Sequence, residues 1–263
     1  MEAILFAAVS VTVIGALCAA ILSAASKALT IAEDEEVAAL AEFLPGSNCG
    51  ACGYPGCSGY AKALIKDPAV RKNLCIPGGP EVAAVLGKKF GVEAGEVAKK
   101  TAVVHCAHTA AGRPKKMDYK GIQTCEAAHA VFGGEGACAF GCLGYGDCMR
   151  ACPSGAICVK GELAKVVGGK CTGCGMCLQS CPKGLFSIID GNAKVAVLCS
   201  NTEKGAVVRK KCSAGCLGCG RCARECPEGA IVIKDNLAVI DYARCTGCGK
   251  CADVCVGKCI KRI

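Results

Sequence analysis

The chain has 263 residues, enough for one large domain or several small ones. It contains 27 Cys and 35 Gly but no Trp, 5 Tyr and 6 Phe, and so few aromatic side chains argue against a large conventional core. Cysteine at about one residue in ten indicates disulfides or metal ligands. The formal net charge of +9 would suggest an anionic partner such as nucleic acid, but this count treats every cysteine as neutral.

The segment from Ala3 to Ser26 contains no charged side chain. As a helix it would be about 36 Å long, which exceeds a hydrocarbon core of about 30 Å. A cleaved signal peptide is the alternative, but such a peptide begins with a basic region and has a shorter apolar stretch. We therefore predict one membrane-spanning anchor over residues 1–27. Because the cysteine chemistry described below needs a reducing compartment, the remaining chain is expected on the cytoplasmic side of the cell (inner) membrane.

Two cysteine runs near the C-terminus share the spacing C-x2-C-x2-C-x3-C. Disulfide frameworks have irregular spacings and zinc knuckles have paired C-x2-C motifs, whereas this spacing is typical of bacterial two-cluster ferredoxins. In those proteins the fourth cysteine of each run ligates the other cluster. The spacing predicts two [4Fe–4S] clusters, one on Cys216, Cys219, Cys222 and Cys255 and the other on Cys226, Cys245, Cys248 and Cys251.

The same pattern occurs 74 residues earlier, beginning at Cys142 rather than Cys216, which indicates two tandem modules. One position differs, because Tyr145 stands where a ligand is expected. Cys138, four residues before the run, is the predicted replacement. The earlier module is therefore expected to hold one cluster on Cys138, Cys142, Cys148 and Cys181 and a second on Cys152, Cys171, Cys174 and Cys177.

A different group of four cysteines follows the apolar segment, in NCGACGYPGC and then before PGG; it comprises Cys49, Cys52, Cys57 and Cys75. The glycines of this loop let backbone N–H groups approach sulfur closely, which stabilises thiolates bound to iron. We predict one further [4Fe–4S] cluster here. A zinc site is the alternative.

Five such clusters use 20 of the 27 cysteines. Cys106 and Cys199 lie in similar settings, VVHCAHT and VAVLCSNT. Together with Cys125 and Cys212 they are candidates for a sixth cluster, the alternatives being that they are buried thiols or further candidates for the ligand missing at Tyr145. Five clusters are thus predicted, and six if this last group binds iron.

The predicted fold class is α+β. The expected order is a transmembrane anchor (1–27), a four-Cys domain (28–80), a linker (81–130), and two double-cluster ferredoxin-like modules (131–192 and 193–263). Residues 231–233 and 238–240 predict a β-hairpin between the two runs of the later module.

An apolar N-terminal span, the NCGACGYPGC module and ferredoxin repeats together resemble the B component, an iron–sulfur protein, of the Rnf electron-transport complex. The resemblance covers essentially the whole chain, and its two tandem modules resemble the longer form found in anaerobic bacteria. It implies a membrane complex that moves electrons from soluble reduced ferredoxin to NAD and pumps Na+ or H+, with the other Rnf subunits as partners. An iron–sulfur component of another membrane, corrinoid or hydrogenase-type system is the alternative.

The sequence contains no glycine-rich dinucleotide fingerprint after a strand and no P-loop, so neither NAD nor flavin is expected on this chain, and no catalytic residue is predicted. The expected chemistry is one-electron transfer. A [4Fe–4S]2+ cluster with four thiolates carries −2, so five clusters add about −10 and bring the net charge close to −1. The basic composition therefore does not predict a nucleic-acid partner.

Overall fold

The computed structural model describes residues 2–28, 35–93, 95–108 and 114–263. They form two compact units, Met1–Ala39 and Leu40–Ile263. The N-terminal unit contains helix α1 (Glu2–Ala28) and most of α2 (Glu35–Ala41).

Helix α1 is the apolar segment expected from the sequence. Its stretch Ile4–Ser26 has a mean hydropathy of 2.6, and none of that stretch is buried within the protein. The hydroxyls of Ser10 and Thr12 donate to the carbonyl oxygens of Phe6 and Ala8 one turn earlier, which satisfies these polar groups within the helix, as a hydrocarbon environment requires. Among the described residues it is the one helix long and apolar enough to cross a membrane.

The first part of the second unit is helical, with α3 (Gly56–Lys66) and α4 (Gly79–Phe90) on either side of an irregular segment. Its core is small and consists of Leu40, Tyr60, Leu64 and Leu86, each at most 1% exposed. The hydroxyl of Tyr60 donates to the Arg71 carbonyl oxygen at 2.7 Å and so ties α3 to the segment before α4. This core holds the segments that carry Cys49, Cys52, Cys57 and Cys75.

The next part, the first module, is built on two antiparallel strand pairs. Strand β1 (Lys100–Val104) pairs with β4 (Phe186–Asp190), and β2 (Ile157–Lys160) forms a hairpin with β3 (Leu163–Val166). Its short helices are α5 (Cys125–Ala130), α6 (Asp147–Arg150) and α7 (Met176–Gln179).

The second module repeats this plan. Strand β5 (Val195–Val197) pairs with β8 (Ile260–Arg262), and β6 (Ile231–Lys234) forms a hairpin with β7 (Leu237–Ile240). The hairpin lies where the sequence predicted it. Its helices are α8 (Gly205–Lys211), α9 (Arg221–Arg224) and α10 (Lys250–Asp253).

Strand β1 differs from the sequence prediction, which placed residues 81–130 in a linker. The backbone polar groups of β4 need partners, and β1 supplies them in the register Lys100↔Asp190 to Val104↔Phe186. Residues 100–104 thus belong to the first module, whose first strand comes well before the predicted boundary at 131.

The faces of β1 alternate between two environments. Ala102 and Val104 pack into the core of the first module, whereas Val103 packs with Ile189 and with Ala196 of β5. Each module core is unusual in that cysteines make up a large share of it. Side chains that in most proteins would be leucine or valine are here thiols, so the stability of this core depends on what the thiols bind.

Candidate metal centres

The first group of four cysteines surrounds the start of α3. Cys49 and Cys52 lie on the loop before this helix, Cys57 lies in its first turn, and Cys75 precedes α4. The loop is fixed by Asn48, whose side-chain oxygen accepts a 2.7 Å hydrogen bond from the Cys57 N–H. Gly56 has φ +78°, and an added Cβ would come 2.8 Å from the same oxygen, so only glycine fits there.

The four sulfurs of this group are near enough to influence each other. Burial raises the pKa of the Cys75 thiol, and the neighbouring Cys52, Cys57 and Cys49 raise it further. Burial likewise raises the pKa of Tyr60 to about 12, with Cys75 and Cys52 adding to the effect. Four thiolates held together in this way repel each other unless a cation lies between them, which is the environment that iron supplies.

In the second module the fourth cysteine of each run crosses to the other run. A cavity is lined by Cys216, Cys219 and Cys222 together with Cys255 from the later run. Burial raises the pKa of Cys222 to about 11, and charges on the other three cysteines contribute. The structure thus brings together the four residues that the spacing predicted.

The reciprocal group in the second module consists of Cys226, Cys245, Cys248 and Cys251. Burial raises the pKa of Cys251, and charges on Cys245, Cys248 and Cys226 raise it further, which shows that the four side chains converge. The Ala230 N–H points to Cys226 Sγ at 3.4 Å. One member of each group in this module, Cys219 and Cys248, is solvent-exposed.

The first module contains the equivalent of this reciprocal group, made of Cys152, Cys171, Cys174 and Cys177. Burial raises the pKa of Cys177 to about 12, and charges on Cys171, Cys174 and Cys152 add to the shift. Backbone N–H groups donate to two of these sulfurs, from Ala156 to Cys152 and from Ala102 to Cys171, both at 3.3 Å. The second donor lies on β1, the strand that the sequence prediction assigned to a linker.

The remaining group of the first module differs from the sequence prediction. The cavity lined by Cys142, Cys148 and Cys181 is completed by Cys125, not by Cys138. Burial raises the pKa of Cys148 to about 12, and charges on Cys142, Cys125 and Cys181 contribute. The structure thus places Cys125, and not the predicted Cys138, beside the three other cysteines of this group.

Helix α5 explains why a cysteine so distant in sequence reaches this group. Thr124 caps the helix by accepting a 3.2 Å hydrogen bond from the Ala127 N–H. The Glu126 N–H donates to an Asp147 side-chain oxygen at 3.1 Å, which attaches α5 to α6, the helix of Cys148. The pattern Thr124-Cys125-Glu126 is a local signal for the start of this helix. The spacing of the cysteines, however, does not indicate which group Cys125 joins.

Cys138 lies instead in a sixth group, with Cys106, Cys199 and Cys212, around a cavity between the two modules. The sequence predicted a sixth set from Cys106, Cys125, Cys199 and Cys212, so three of its four members come together and Cys138 takes the place of Cys125. His105, beside Cys106, is engaged through both ring nitrogens, with Val197 O at 2.7 Å and Ser187 Oγ at 2.6 Å. Among the residues described, no group of three or more His, Cys, Asp or Glu is arranged to hold a single metal ion.

Cys259 was not anticipated as a functional residue. It is 1% exposed and lines the cavity of the Cys216 group, with its sulfur 3.7 Å from Cys255 Sγ. A side-chain hydrogen bond between Cys259 and Cys255 lowers the pKa of Cys255 to about 5, and contact with the same Cys259 thiol lowers that of Cys216 to about 6. Of the other two remaining cysteines, Cys18 lies on α1, and Cys158 on β2 does not line the cavities of the Cys142, Cys106 and Cys216 groups.

Two known protein families match parts of the chain that carry these cysteines. Residues 44–77 match a family described as "Putative Fe-S cluster", and residues 170–230 and 215–259 match a "4Fe-4S dicluster domain". The first dicluster match joins the second run of one module to the first run of the next, whereas strand pairing joins the runs within each module. Fold and cysteine groups together define an iron–sulfur electron-transfer protein of the ferredoxin type.

The chain is also similar to individual proteins over most of its length. It is 38% identical to the B component of the proton-translocating ferredoxin:NAD(+) oxidoreductase complex of Clostridium ljungdahlii, over 98% of this chain and 91% of that protein. It is 37% identical to the B component of the Na(+)-translocating complex of Acetobacterium woodii, over 91% of this chain and 72% of that protein. It is 36% identical to the B component of the ion-translocating oxidoreductase complex of Methanosarcina acetivorans, over 90% of each. The chain belongs to this family, the B components of Rnf complexes, and its function is electron transfer within an ion-translocating ferredoxin:NAD(+) oxidoreductase.

Proposed function

We propose that this chain accepts electrons from reduced soluble ferredoxin and conducts them through its cysteine groups to the other subunits of the complex, with its bulk on the cytoplasmic side of the membrane. When bound, a [4Fe–4S] cluster supplies reversible one-electron chemistry. The residues of this chain hold the clusters, shield them from water and adjust their reduction potentials through hydrogen bonds to sulfur. The alternative of a corrinoid or hydrogenase-type system has no support among these relatives.

Five ligand sets are proposed for these clusters. They are Cys49, Cys52, Cys57 and Cys75; Cys125, Cys142, Cys148 and Cys181; Cys152, Cys171, Cys174 and Cys177; Cys216, Cys219, Cys222 and Cys255; and Cys226, Cys245, Cys248 and Cys251. The observation that carries the proposal is the crossing of the fourth cysteine between runs, which gives each of the four sets in the modules four thiols and buries much of it in the module core.

The second module is the favoured place for electrons to enter. Cys219 and Cys248 are the exposed members of its two sets, so both sites come close to the surface. Lys and Arg outnumber Asp and Glu in residues 193–263, which favours approach of an acidic redox partner. A solvent-exposed ligand shortens the distance that an electron travels from a donor docked on the surface.

Stopped-flow spectroscopy tests the donor. Anaerobic full-length protein is mixed with reduced ferredoxin, and the visible absorbance of the bound clusters is followed. We expect bleaching of this protein with matched oxidation of ferredoxin, at a rate that falls as salt rises. If a chemical reductant reduces the clusters fully but ferredoxin leaves them oxidised, ferredoxin is not the donor. That result would not contradict the presence of the clusters.

Protease treatment of membrane vesicles tests the orientation. Trypsin is expected to degrade residues 193–263 in inverted vesicles and to spare them in right-side-out vesicles. The reverse pattern would place the modules on the outer face of the membrane.

A further inference from the structure

We infer that Cys106, Cys138, Cys199 and Cys212 bind a sixth iron–sulfur cluster at the junction of the two modules. This inference extends the proposed function, but it depends on neither the electron donor nor the orientation in the membrane. It rests on the cavity between the modules, the donors around it and the symmetry of its cysteines.

The two modules contribute to this site in the same way. Cys106 and Cys199 each follow the first strand of their module by two residues, after Val104 of β1 and Val197 of β5. Cys138 and Cys212 each precede the first cysteine of their run by four residues. Each module therefore supplies two thiols from equivalent positions, and neither module holds four by itself.

All four sulfurs lie within reach of an N–H group. Backbone N–H groups of Cys142, Cys216 and Ala214 point to the sulfurs of Cys106, Cys199 and Cys212 at 3.5, 3.3 and 3.4 Å. The sulfur of Cys138 lies 3.4 Å from the side-chain nitrogen of Asn201, a residue that is only 2% exposed. Donors of this kind stabilise thiolates bound to iron, as at the five sets proposed above.

The position of Asn201 is itself fixed. Its side-chain nitrogen lies 3.1 Å from a Glu203 carboxylate oxygen, and its side-chain oxygen accepts a 2.7 Å hydrogen bond from the Glu203 N–H. Lys211 makes an ion pair with the same carboxylate, at 2.5 Å. The buried Asn201 amide is thus held with its N–H group facing the Cys138 sulfur. Such a donor is suited to a site whose ligands are anionic thiolates.

The junction around the cavity holds the two halves together. The His105 ring bridges Ser187 of β4 and Val197 of β5, and the Ser200 hydroxyl donates to the Phe140 carbonyl oxygen at 3.3 Å. Apolar side chains of Phe140, Leu198 and Val208 line the same cavity.

The site adjoins one proposed cluster in each module. The backbone donors to Cys106 and Cys199 come from Cys142 and Cys216, which are themselves members of the neighbouring sets. A sixth cluster here would place a redox centre between the modules. It would lie between the two proposed clusters of the first module and the two of the second.

Native mass spectrometry of the anaerobic full-length protein counts clusters directly. We expect six clusters in the unaltered chain and five in the Cys138→Ser/Cys212→Ser variant. The control Cys158→Ser removes a thiol that lies in none of the six groups and is expected to keep six. Five clusters in the unaltered chain and in both variants would overturn the inference.

Metal analysis of the same samples separates the remaining outcomes. Six [4Fe–4S] clusters correspond to about 24 Fe per chain, against about 20 for five. One zinc with about 20 Fe would overturn the inference in favour of a zinc site, and absence of iron would overturn the proposed function as well. If the double variant loses all iron through misfolding, the unaltered chain decides: six clusters support the inference and five overturn it.

Discussion

At the scale of single residues, a thiol outside the proposed ligand sets distinguishes the two modules. Cys259 Sγ lies 3.7 Å from Cys255 Sγ, within hydrogen-bond distance, and lines the same cavity as Cys216, whereas the equivalent position in the first module is Leu185, a buried hydrocarbon side chain. Hydrogen bonds to cluster sulfurs raise the reduction potential because they stabilise the added negative charge. The modules are therefore expected to differ in potential at this position.

Replacing this thiol by the residue of the first module tests that effect. Cys259→Leu is expected to lower the potential of the Cys216 cluster by up to about 40 mV, the shift for one electron if the hydrogen bond is about 1 kcal/mol stronger to the reduced cluster than to the oxidised one. An anaerobic redox titration followed by electron paramagnetic resonance measures it. The reciprocal Leu185→Cys is the matched variant and should raise the potential of the Cys142 cluster; an unchanged potential in both variants would contradict the role of the thiol.

The assignment of Cys125 leads to a second test at this scale. Cys125→Ser is expected to remove one cluster, about 4 Fe per chain, because the set around Cys142 then has only three thiols. Adding Tyr145→Cys restores the regular C-x2-C-x2-C run and should return the missing iron. Native mass spectrometry reports both results, and full iron retention in Cys125→Ser would show that another residue is the ligand.

At the scale of elements, one cluster loop in each module packs against the turn of that module's hairpin. Gly144 has φ +84° and Gly218 has φ +64°, and an added Cβ at either would come within 2.8 Å of a backbone oxygen, of Glu162 and Asn236 respectively. Loop and hairpin thus touch through backbone, and a side chain there forces them apart. These two glycines therefore have a packing role besides their conformational one.

The variant Gly218→Ala tests this packing. It should lose clusters much faster on warming than the unaltered chain, because backbone strain of about 1–2 kcal/mol is joined by overpacking of about 1–3 kcal/mol. The rate of loss of visible absorbance under anaerobic conditions at fixed temperature measures the effect. Gly155→Ala is the control, since Gly155 has φ +58° but open space around an added Cβ, and its rate should rise much less.

The elements also differ in how well they could be predicted from the sequence. The hairpin of β6 and β7 followed from the apolar pattern over 231–240, which is a local signal. The crossing of the fourth cysteine between runs followed from the spacing, because the ferredoxin pattern carries a known rule for which run completes which group. Strand β1 and the Cys125 site did not follow, because each depends on a partner distant in the chain, β4 for the strand and the Cys142 run for the thiol. Pairing between segments that are distant in the sequence produces no local periodicity from which it could be predicted.

At the scale of the whole molecule, the two modules depend on iron for their cores. In the described part of the chain, the buried core of the first module includes four cysteines and that of the second five, each beside six aliphatic side chains. In so small a core, bound metal supplies much of the folding free energy. Helix α1 has no such dependence, since it carries no proposed ligand.

Removal of iron is therefore expected to unfold both modules and spare α1. An anaerobic chelator should abolish the strand contribution to the far-ultraviolet circular dichroism while the helical signal of α1 persists. Iron-saturated chelator serves as the control and should change nothing. A metal-free chain that keeps its strands would show that the protein part alone stabilises the modules.

The charge of the assembled molecule also differs from that of the bare chain. Five clusters change a formal +9 to about −1, and a sixth would bring it to about −3. The basic side chains thus largely offset the clusters, and the excess that remains in residues 193–263 is available to a redox partner.

The cysteine groups are proposed above all to hold [4Fe–4S] clusters that take electrons from ferredoxin. Mössbauer spectroscopy of anaerobic full-length protein enriched in 57Fe, before and after addition of reduced ferredoxin, tests this most directly. We expect all iron in oxidised [4Fe–4S]2+ sites at first and a substantial fraction in reduced [4Fe–4S]+ sites afterwards. Iron in another form, or a spectrum that ferredoxin leaves unchanged, would contradict this role.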